Sequence, residues 1–346
     1  MFIGRLEFLR SEDRAVSAAV RWSAVMQQIR CLALILAAVL LTKCSAVAFS
    51  ATSTAKQVAD ALSPSLRGRT ALITGANTGI GLEAAKALAS KGCRVVLCSR
   101  DVKAARDAID TEVRQGGQSS YIVDSPDIVV KQLDLADLDS VASLAADVAK
   151  TEQGLDYLVL NAGIMSLPKL ERTKEGWERQ MAVNHFGHAA LVKSLMPMLS
   201  KSRIVVLAST AHRFSSDKVV SDVKYEKKSY LPWTAYGDSK MANLLYAKGL
   251  AHHLKLDACS VHPGVIKTRL WNQSLINRAF SLFVGDRGVP EGAASTVWAC
   301  LSPRTDLKGA YIADCAPALP NDLAQSAALR DEVWRVTNEE LSRVGF

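Results

Sequence analysis

A single doubly wound α/β domain, with a parallel sheet of about seven strands and helices on both faces, is the fold class that this chain of 346 residues predicts. Two observations carry the expectation. From Thr70 to Val261, short β-rich runs alternate with helical patterns, the order that a parallel sheet with crossover helices requires. The first of those strands also runs straight into a glycine-rich turn and a helix start, which builds an anion site from free backbone amides. With 49% hydrophobic and 22% charged residues, the composition suits an ordinary globular protein.

The stretch before about Ser65 reads differently. Cys31–Thr42 is an apolar run between Arg30 and Lys43, too short for a spanning helix, which needs about 20 apolar residues. It fits the core of a signal peptide over 26–48, with Ser45, Ala46, Val47 and Ala48 as a small-residue cleavage site. Residues 49–65 are rich in Ser, Thr and Ala and carry one acid, Asp60, the composition of a transit segment. The expected organisation is a targeting presequence over 1–65 and one folded domain over 66–346. A signal segment followed by Phe49 and a transit-like stretch resembles the bipartite presequence of algae with secondary plastids, which implies a plastid address. The secretory pathway with the endoplasmic reticulum, and the mitochondrion, are the alternatives.

The formal charge is +8, and the first 48 residues account for six basic and three acidic residues of that balance. No basic patch interleaved with aromatics accompanies it, so nucleic acid is not an expected partner. Beyond residue 48 the five cysteines, Cys93, Cys98, Cys259, Cys300 and Cys315, form no C-x-x-C pair and no even framework, which points to a reducing compartment. The histidine pairs His185/His188 and His252/His253 lack the carboxylate spacing of a metal site, and no metal is assigned.

In chain order, Thr70–Thr74 is the first strand. Gly75, Asn77, Gly79, Ile80 and Gly81 follow as the phosphate-facing turn, and a helical pattern runs from Leu82 to Ser90. Arg94–Cys98 is the second strand and ends at Ser99-Arg100. An acid at that place would bind the free 2′-hydroxyl of NAD, whereas a Ser-Arg pair receives the 2′-phosphate of NADP. Asp101 keeps NAD open, and Arg100 read alone is a solvated loop cation. After a helix over Val102–Arg114 and a polar stretch to Asp127, Ile128–Leu133 is a third strand that closes on Asp134-Leu135. Asp134 either meets the adenine amino group at the ligand edge of the sheet or serves a turn.

Leu155–Leu160 is the fourth strand and delivers Asn161, Ala162 and Gly163, small enough to leave room for a cofactor. A helix over Met181–Leu199 carries Asn184 near its start. Arg203–Ala208 delivers Ser209, and Asp257–Val261 delivers His262-Pro263-Gly264. Between those two strands lies a helix over Ala235–Leu254 that carries Tyr236-Gly237-Asp238-Ser239-Lys240. A spacing of four sets phenol and ammonium one helical turn apart, where the cation would lower the phenol pKa from its usual value of about 10. The plain alternative is a Tyr and a Lys sharing a solvated helix face.

Taken together, Thr74-Gly75-x-x-x-Gly79-x-Gly81, Asn161-Ala162-Gly163, Ser209 and Tyr236-x-x-x-Lys240 resemble the short-chain dehydrogenases/reductases over roughly Leu66 to the C-terminus. Ser99-Arg100-Asp101, Asn184-His185-Phe186-Gly187-His188, Ser209-Thr210-Ala211-His212 and Gly309-Ala310-Tyr311 look most like the retinol-dehydrogenase-like branch. The resemblance implies an NADP(H)-dependent oxidoreductase. In it Tyr236 is the general acid/base, Lys240 lowers its pKa and holds the nicotinamide ribose, Ser209 bonds the substrate oxygen, and Asn184 holds a relay water. Pro263, Gly264 and Thr268 would close over the nicotinamide. The charged stretch between Ser209 and Tyr236 is expected as a loop beside the site, and Gly117–Asp127 as a surface insertion.

The segment from Thr268 to Val289, with Leu270, Trp271, Leu275, Ile276, Phe280, Leu282, Phe283 and Val284, stands where this family builds its substrate lid. Apolar residues there favour a bulky apolar alcohol or carbonyl such as a retinoid, carotenoid fragment or lipid aldehyde. An amphipathic helix, a homodimer face or a weak membrane-surface contact are the other readings of the same segment. Two further functions share the motifs: an NADP(H)-sensing interaction protein, and a pigment reductase resembling the light-dependent protochlorophyllide reductases.

Overall fold

The computed structural model describes residues 49–113, 127–266 and 287–346. Their eight strands are β1 (Thr70–Thr74), β2 (Arg94–Ser99), β3 (Ile128–Gln132), β4 (Tyr157–Leu160), β5 (Arg203–Leu207), β6 (Asp257–His262), β7 (Tyr311–Ala313) and β8 (Ala316–Ala318). They form one sheet in the order β3-β2-β1-β4-β5-β6-β7-β8. All neighbours are parallel except β7 and β8. The expected α/β sheet is therefore present, with one strand more than expected. That strand is a three-residue return. Asp314 and Cys315 both take positive φ, 51° and 59°, as a two-residue hairpin turn needs, and Pro317 is tolerated because β8 is an edge.

The helices are α1 (Ala55–Leu62), α2 (Gly79–Ala89), α3 (Val102–Ala108), α4 (Leu138–Thr151), α5 (Gly187–Leu195), α6 (Pro232–His253), α7 (Val289–Leu301) and α8 (Ala327–Arg343). Side chains alternate across each strand, so β1 sends Ala71 and Ile73 into one apolar layer and Leu72 into the other. The first layer holds residues of α1, α2, α3 and α7, and the second those of α4, α5, α6 and α8. Among the described residues no helix is long and apolar enough to cross a membrane.

The expected boundary at 65/66 does not coincide with that of the folded unit, which begins at Phe49. Residues 55–62 form α1, closed by a capping box in which the Thr54 hydroxyl accepts from Gln57 N and the Gln57 side chain accepts from Thr54 N at 2.9 Å. Ala55, Val58 and Ala59 are fully buried, with α1 packed on α7. Composition alone reads 49–65 as removable, but its apolar spacing fills a gap in the core. The expected signal segment over 26–48, most of the Gly117–Asp127 insertion, Thr268 and the apolar residues Leu270–Val284 lie outside the described residues.

Strand order reverses between β1 and β4, and a crevice opens at the carboxyl ends of the strands around that point. Helix irregularity also falls there. The expected continuous helix over Met181–Leu199 is broken into a turn at Arg179–Met181, a π-turn at Ala182–Phe186, then α5 and a 3₁₀ turn at Met196–Met198 beside Pro197. The π-turn carries Asn184.

Candidate active site

The crevice is a cavity of about 610 Å³. It brings together Gly75, Asn77, Gly79, Ile80 and Gly81 from the first turn, Ser99 and Arg100 from the end of β2, and Asp134 and Leu135 beyond β3. Asn161, Ala162 and Gly163 after β4, Pro263 after β6, and Tyr236 and Lys240 on α6 complete this set. Ser209, Asn184 and Gly264 do not line it. Asp101, which kept NAD open, lines it too, and Thr78, Leu133, Ile164, Val183, Leu207 and Ala208 line it without having been singled out by the sequence.

The glycine turn is shaped by close approach. Gly75 takes φ 63° and a Cβ on it would come within 2.8 Å of Ala162 Cα, while a Cβ on Gly81 would run into the Asn161 amide and lie 2.7 Å from the Gly75 carbonyl. Both positions therefore need hydrogen as side chain. Asn161 ties the two sides of the crevice, its Nδ2 donating to Thr74 O at 2.8 Å and Gly75 O at 3.2 Å.

Thr74, the last residue of β1, is the hub that sequence reasoning missed. Its Oγ1 accepts from the amides of Asn161 and Ala162 at 2.9 and 3.0 Å and meets His188 Nε2 at 2.8 Å. His188 Nδ1 lies 2.9 Å from the Asn184 carbonyl, so Nδ1 carries the proton and Nε2 accepts from the threonine hydroxyl. Burial drives the His188 pKa down to about 3, which keeps the ring neutral in this role. The sequence signals were a β-branched hydroxyl at a strand end and its place at the head of the glycine motif, neither of which gave it a role.

Asn184 is completely buried. Its Oδ1 accepts from Ile164 N at 2.8 Å, and its Nδ2 donates to Ile164 O at 3.0 Å and to Ser239 Oγ at 2.9 Å. The side chain is thus committed to fixing the strand end after β4 against α6, and the relay role rests on no contact of this side chain. Gly187 follows where a Cβ would strike the Leu135 carbonyl, which lets the π-turn lie against the cavity wall.

Tyr236 is 6% exposed and opens α6 at the cavity mouth. Burial pushes its pKa up to about 12, against a smaller lowering by the nearby Ser209 hydroxyl. The expected lowering by Lys240 is not what the geometry gives. Lys240 Nζ sits 5.7 Å from the phenol ring centroid and donates to the Leu207 carbonyl at 3.0 Å. Desolvation brings Lys240 itself down to about 8. The two groups are one turn apart, as the spacing requires, but burial outweighs their mutual field.

Ser209 caps a 3₁₀ turn at Thr210–Phe214, accepting from Ala211 N at 3.2 Å. The charged stretch beyond it is a loop, as expected, and its anchor is Asp238 on α6. Buried to 2% exposure, Asp238 accepts from Ser215 Oγ at 2.7 Å, Lys228 Nζ at 2.8 Å and Tyr225 OH at 3.2 Å. The loop is therefore tied to the helix that carries Tyr236.

At the other end of the cavity, Asp101 caps α3 by accepting from Ala104 N at 2.9 Å, and its backbone is bracketed by the Ser99 hydroxyl. Arg100 has no hydrogen-bond or ion-pair partner among the described residues. Asp134 Oδ1 accepts from Ala136 N at 2.9 Å, so the turn role is filled by one carboxylate oxygen.

Residues 69–278 match the family model for the short chain dehydrogenases. The chain is 34% identical over 284 residues to short-chain dehydrogenase TIC 32 A, chloroplastic, from Brassica napus, covering 77% of this chain and 86% of the relative. It is also 34% identical over 287 residues to human retinol dehydrogenase 12, covering 80% and 87%. A solved structure of an uncharacterized protein from Mycobacterium Paratuberculosis superposes with a TM-score of 0.65 at 28% identity, over 82% of this chain and 96% of that one. The crevice at the β1/β4 switch, the glycine turn and the Tyr-Lys helix thus have a shared origin, and the chain belongs to the short-chain dehydrogenase/reductase family of oxidoreductases, in its retinol-dehydrogenase-like branch.

Proposed function

We propose that the protein is an NADP(H)-dependent oxidoreductase that interconverts an alcohol and a carbonyl on a bulky apolar substrate. The observation that carries the reading is a buried phenol at the mouth of a dinucleotide-sized cavity, with the Ser209 hydroxyl near enough to lower its pKa and the Lys240 ammonium behind it. The cavity fits the cofactor: glycines at positions where a Cβ would collide open the floor, and the N-terminus of α2, which Thr78 does not cap with its side chain, lines it. Asp101 is spent on capping α3 while Arg100 stands without a partner among the described residues, which supports a 2′-phosphate over a free hydroxyl. When bound, NADP(H) supplies or accepts the hydride.

In the reducing direction Tyr236 donates its proton to the substrate oxygen as negative charge develops there, and Ser209 holds that oxygen. A pKa near 12 keeps the phenol protonated at neutral pH, the state a donor needs. Lys240 places a positive charge beneath the phenol that favours the phenolate left behind. In oxidation the same residues take the proton back. Phe214 and Leu231, about three-fifths exposed, and Trp233, edge-on to Tyr236, put apolar surface beside the mouth, which supports an apolar substrate. The chloroplastic relative supports a plastid address, and the burial of α1 supports a mature chain that retains residues 49–65.

The test follows NADPH absorbance against apolar aldehydes and ketones, with Tyr236→Phe beside the native chain. Loss of a general acid should lower kcat by about 10²- to 10⁴-fold while NADPH binding persists. Undiminished turnover in the variant would remove Tyr236 from the mechanism. Tight NADPH binding with no carbonyl turned over by the native chain would favour the sensing and pigment readings instead.

A further inference from the structure

A second cavity, of about 340 Å³, opens where the last turn of α6, the loop into β6, the turn before β7 and the first turn of α8 meet. It is remote from the chemistry: Lys248 lies twelve residues beyond Tyr236, about 18 Å along the axis of α6. Its wall carries Lys248, Lys255, Lys308, Arg330 and His252, and no Asp or Glu.

These cations are held in place. Lys248 Nζ donates to the Ala324 carbonyl at 2.6 Å, and Lys308 Nζ donates to the Lys255 carbonyl at 2.8 Å. Each ammonium has three donors, so neither is exhausted by its carbonyl. Arg330 is fixed by Asp331 at 2.8 and 3.0 Å. Asp331, beside the cavity, is shared with His253 at 2.9 Å, and among the described residues no ion pair joins Lys248, Lys255 or Lys308 to a carboxylate. His252 registers that field: its pKa is lowered first by Arg330, with burial, His253 and Lys255 adding to the effect.

The backbone gives an independent sign. Lys255 has φ 57° just past the end of α6, where Leu256 N reaches back to the Leu250 carbonyl. Glycine is the unstrained residue at such a helix exit, and a residue with a Cβ is strained there. A lysine at this place adds a charge to the cavity and aims its carbonyl at a second lysine.

We propose that this cavity binds a phosphate-bearing anion of two or more negative charges, with Lys248, Lys255, Lys308 and Arg330 as its counter-charges. Its volume suits a pyrophosphate or a phosphorylated headgroup rather than a second whole dinucleotide, for which the 610 Å³ cleft is the measure. Two sources share this chemistry, a soluble phosphate ester and the headgroup of an anionic phospholipid.

The experiment uses the full chain saturated with NADPH, so that the cofactor cleft does not compete for the probe. Inorganic pyrophosphate is titrated by calorimetry into the native chain and into Lys255→Gln/Lys308→Gln. In parallel, both proteins are floated with vesicles of phosphatidylcholine alone or mixed with phosphatidic acid. The double substitution should weaken binding by at least about tenfold through the loss of two charge-assisted contacts, with NADPH affinity unchanged as the control for folding. Pyrophosphate binding alone assigns a soluble ligand. Flotation that needs phosphatidic acid and fails in the double variant assigns a lipid headgroup. If neither probe binds, or if both proteins bind them equally, the proposal is overturned.

Discussion

Replacing Lys240 by Met should make the protein more stable while stopping turnover. Lys240 is 4% exposed, and desolvation alone lowers its pKa from 10.5 to about 8. That displacement reports the free energy of holding a charged ammonium in the folded chain, about 3 kcal/mol. Methionine keeps the stem and removes the charge. The Leu207 carbonyl is not orphaned by the change, because Asn243 Nδ2 also donates to it at 3.0 Å. The penalty is fully present below pH 8, where both folded and unfolded chains are protonated. It fades between 8 and 10.5, where only the unfolded chain binds the proton, and is gone above 10.5. Urea unfolding of the cofactor-free proteins should therefore give the variant an advantage of about 3 kcal/mol at pH 7 that shrinks toward zero by pH 10.5. A variant less stable at pH 7, or an advantage that does not change with pH, would refute the account of Lys240 as a desolvated cation.

Other outcomes follow from single contacts. Val58→Ala removes two buried carbons from the interface of α1 with α7 and should lower unfolding stability by about 2 kcal/mol, read by urea denaturation; no effect would mean that residues 49–65 are dispensable. Gly81→Ala drives a methyl group into the Asn161 amide and should weaken NADPH binding by at least about tenfold in a fluorescence titration, with a smaller effect on stability. Arg100→Gln removes the one unpartnered cation at the end of β2 among the described residues and should cut the preference for NADPH over NADH by about tenfold or more, measured as the ratio of dissociation constants; an unchanged ratio would place the 2′-phosphate elsewhere.

The sheet and the cofactor crevice were legible because their signals are local. Thr70–Thr74 and Gly75–Gly81 carry a strand, a turn and a helix start within a dozen residues, and parallel topology then collects the carboxyl ends of the other strands at the same edge. Long-range partnerships were not legible. Thr74 and His188 are 114 positions apart, and nothing in either neighbourhood announces the hydrogen bond between them. The π-turn at Asn184 escaped because an extra residue in a helical turn leaves the apolar pattern nearly unchanged. Helix α1 is a different case. The Thr54-x-x-Gln57 box and the apolar spacing of Ala55, Val58, Ala59 and Leu62 stood in the sequence, but a composition rich in Ser, Thr and Ala outweighed them.

The same distinction between local spacing and tertiary environment governs the chemistry of α6. Four residues of separation put Tyr236 and Lys240 on one face, and from that spacing alone the ammonium ought to pull the phenol toward ionisation. Folding buries both, and in a low-dielectric pocket each charged form is disfavoured on its own account: the phenol rises to about 12 and the ammonium falls to about 8. The shifts have opposite directions but one result, since at neutral pH both groups still hold their protons. On the proposed reading the pocket is set to give a proton to an oxygen that becomes anionic, with the Lys240 charge, anchored on the Leu207 carbonyl rather than on the phenol, there to stabilise the phenolate once the proton has left. An ammonium bonded directly to the phenol oxygen would favour the phenolate before the substrate arrived, leaving no proton to donate.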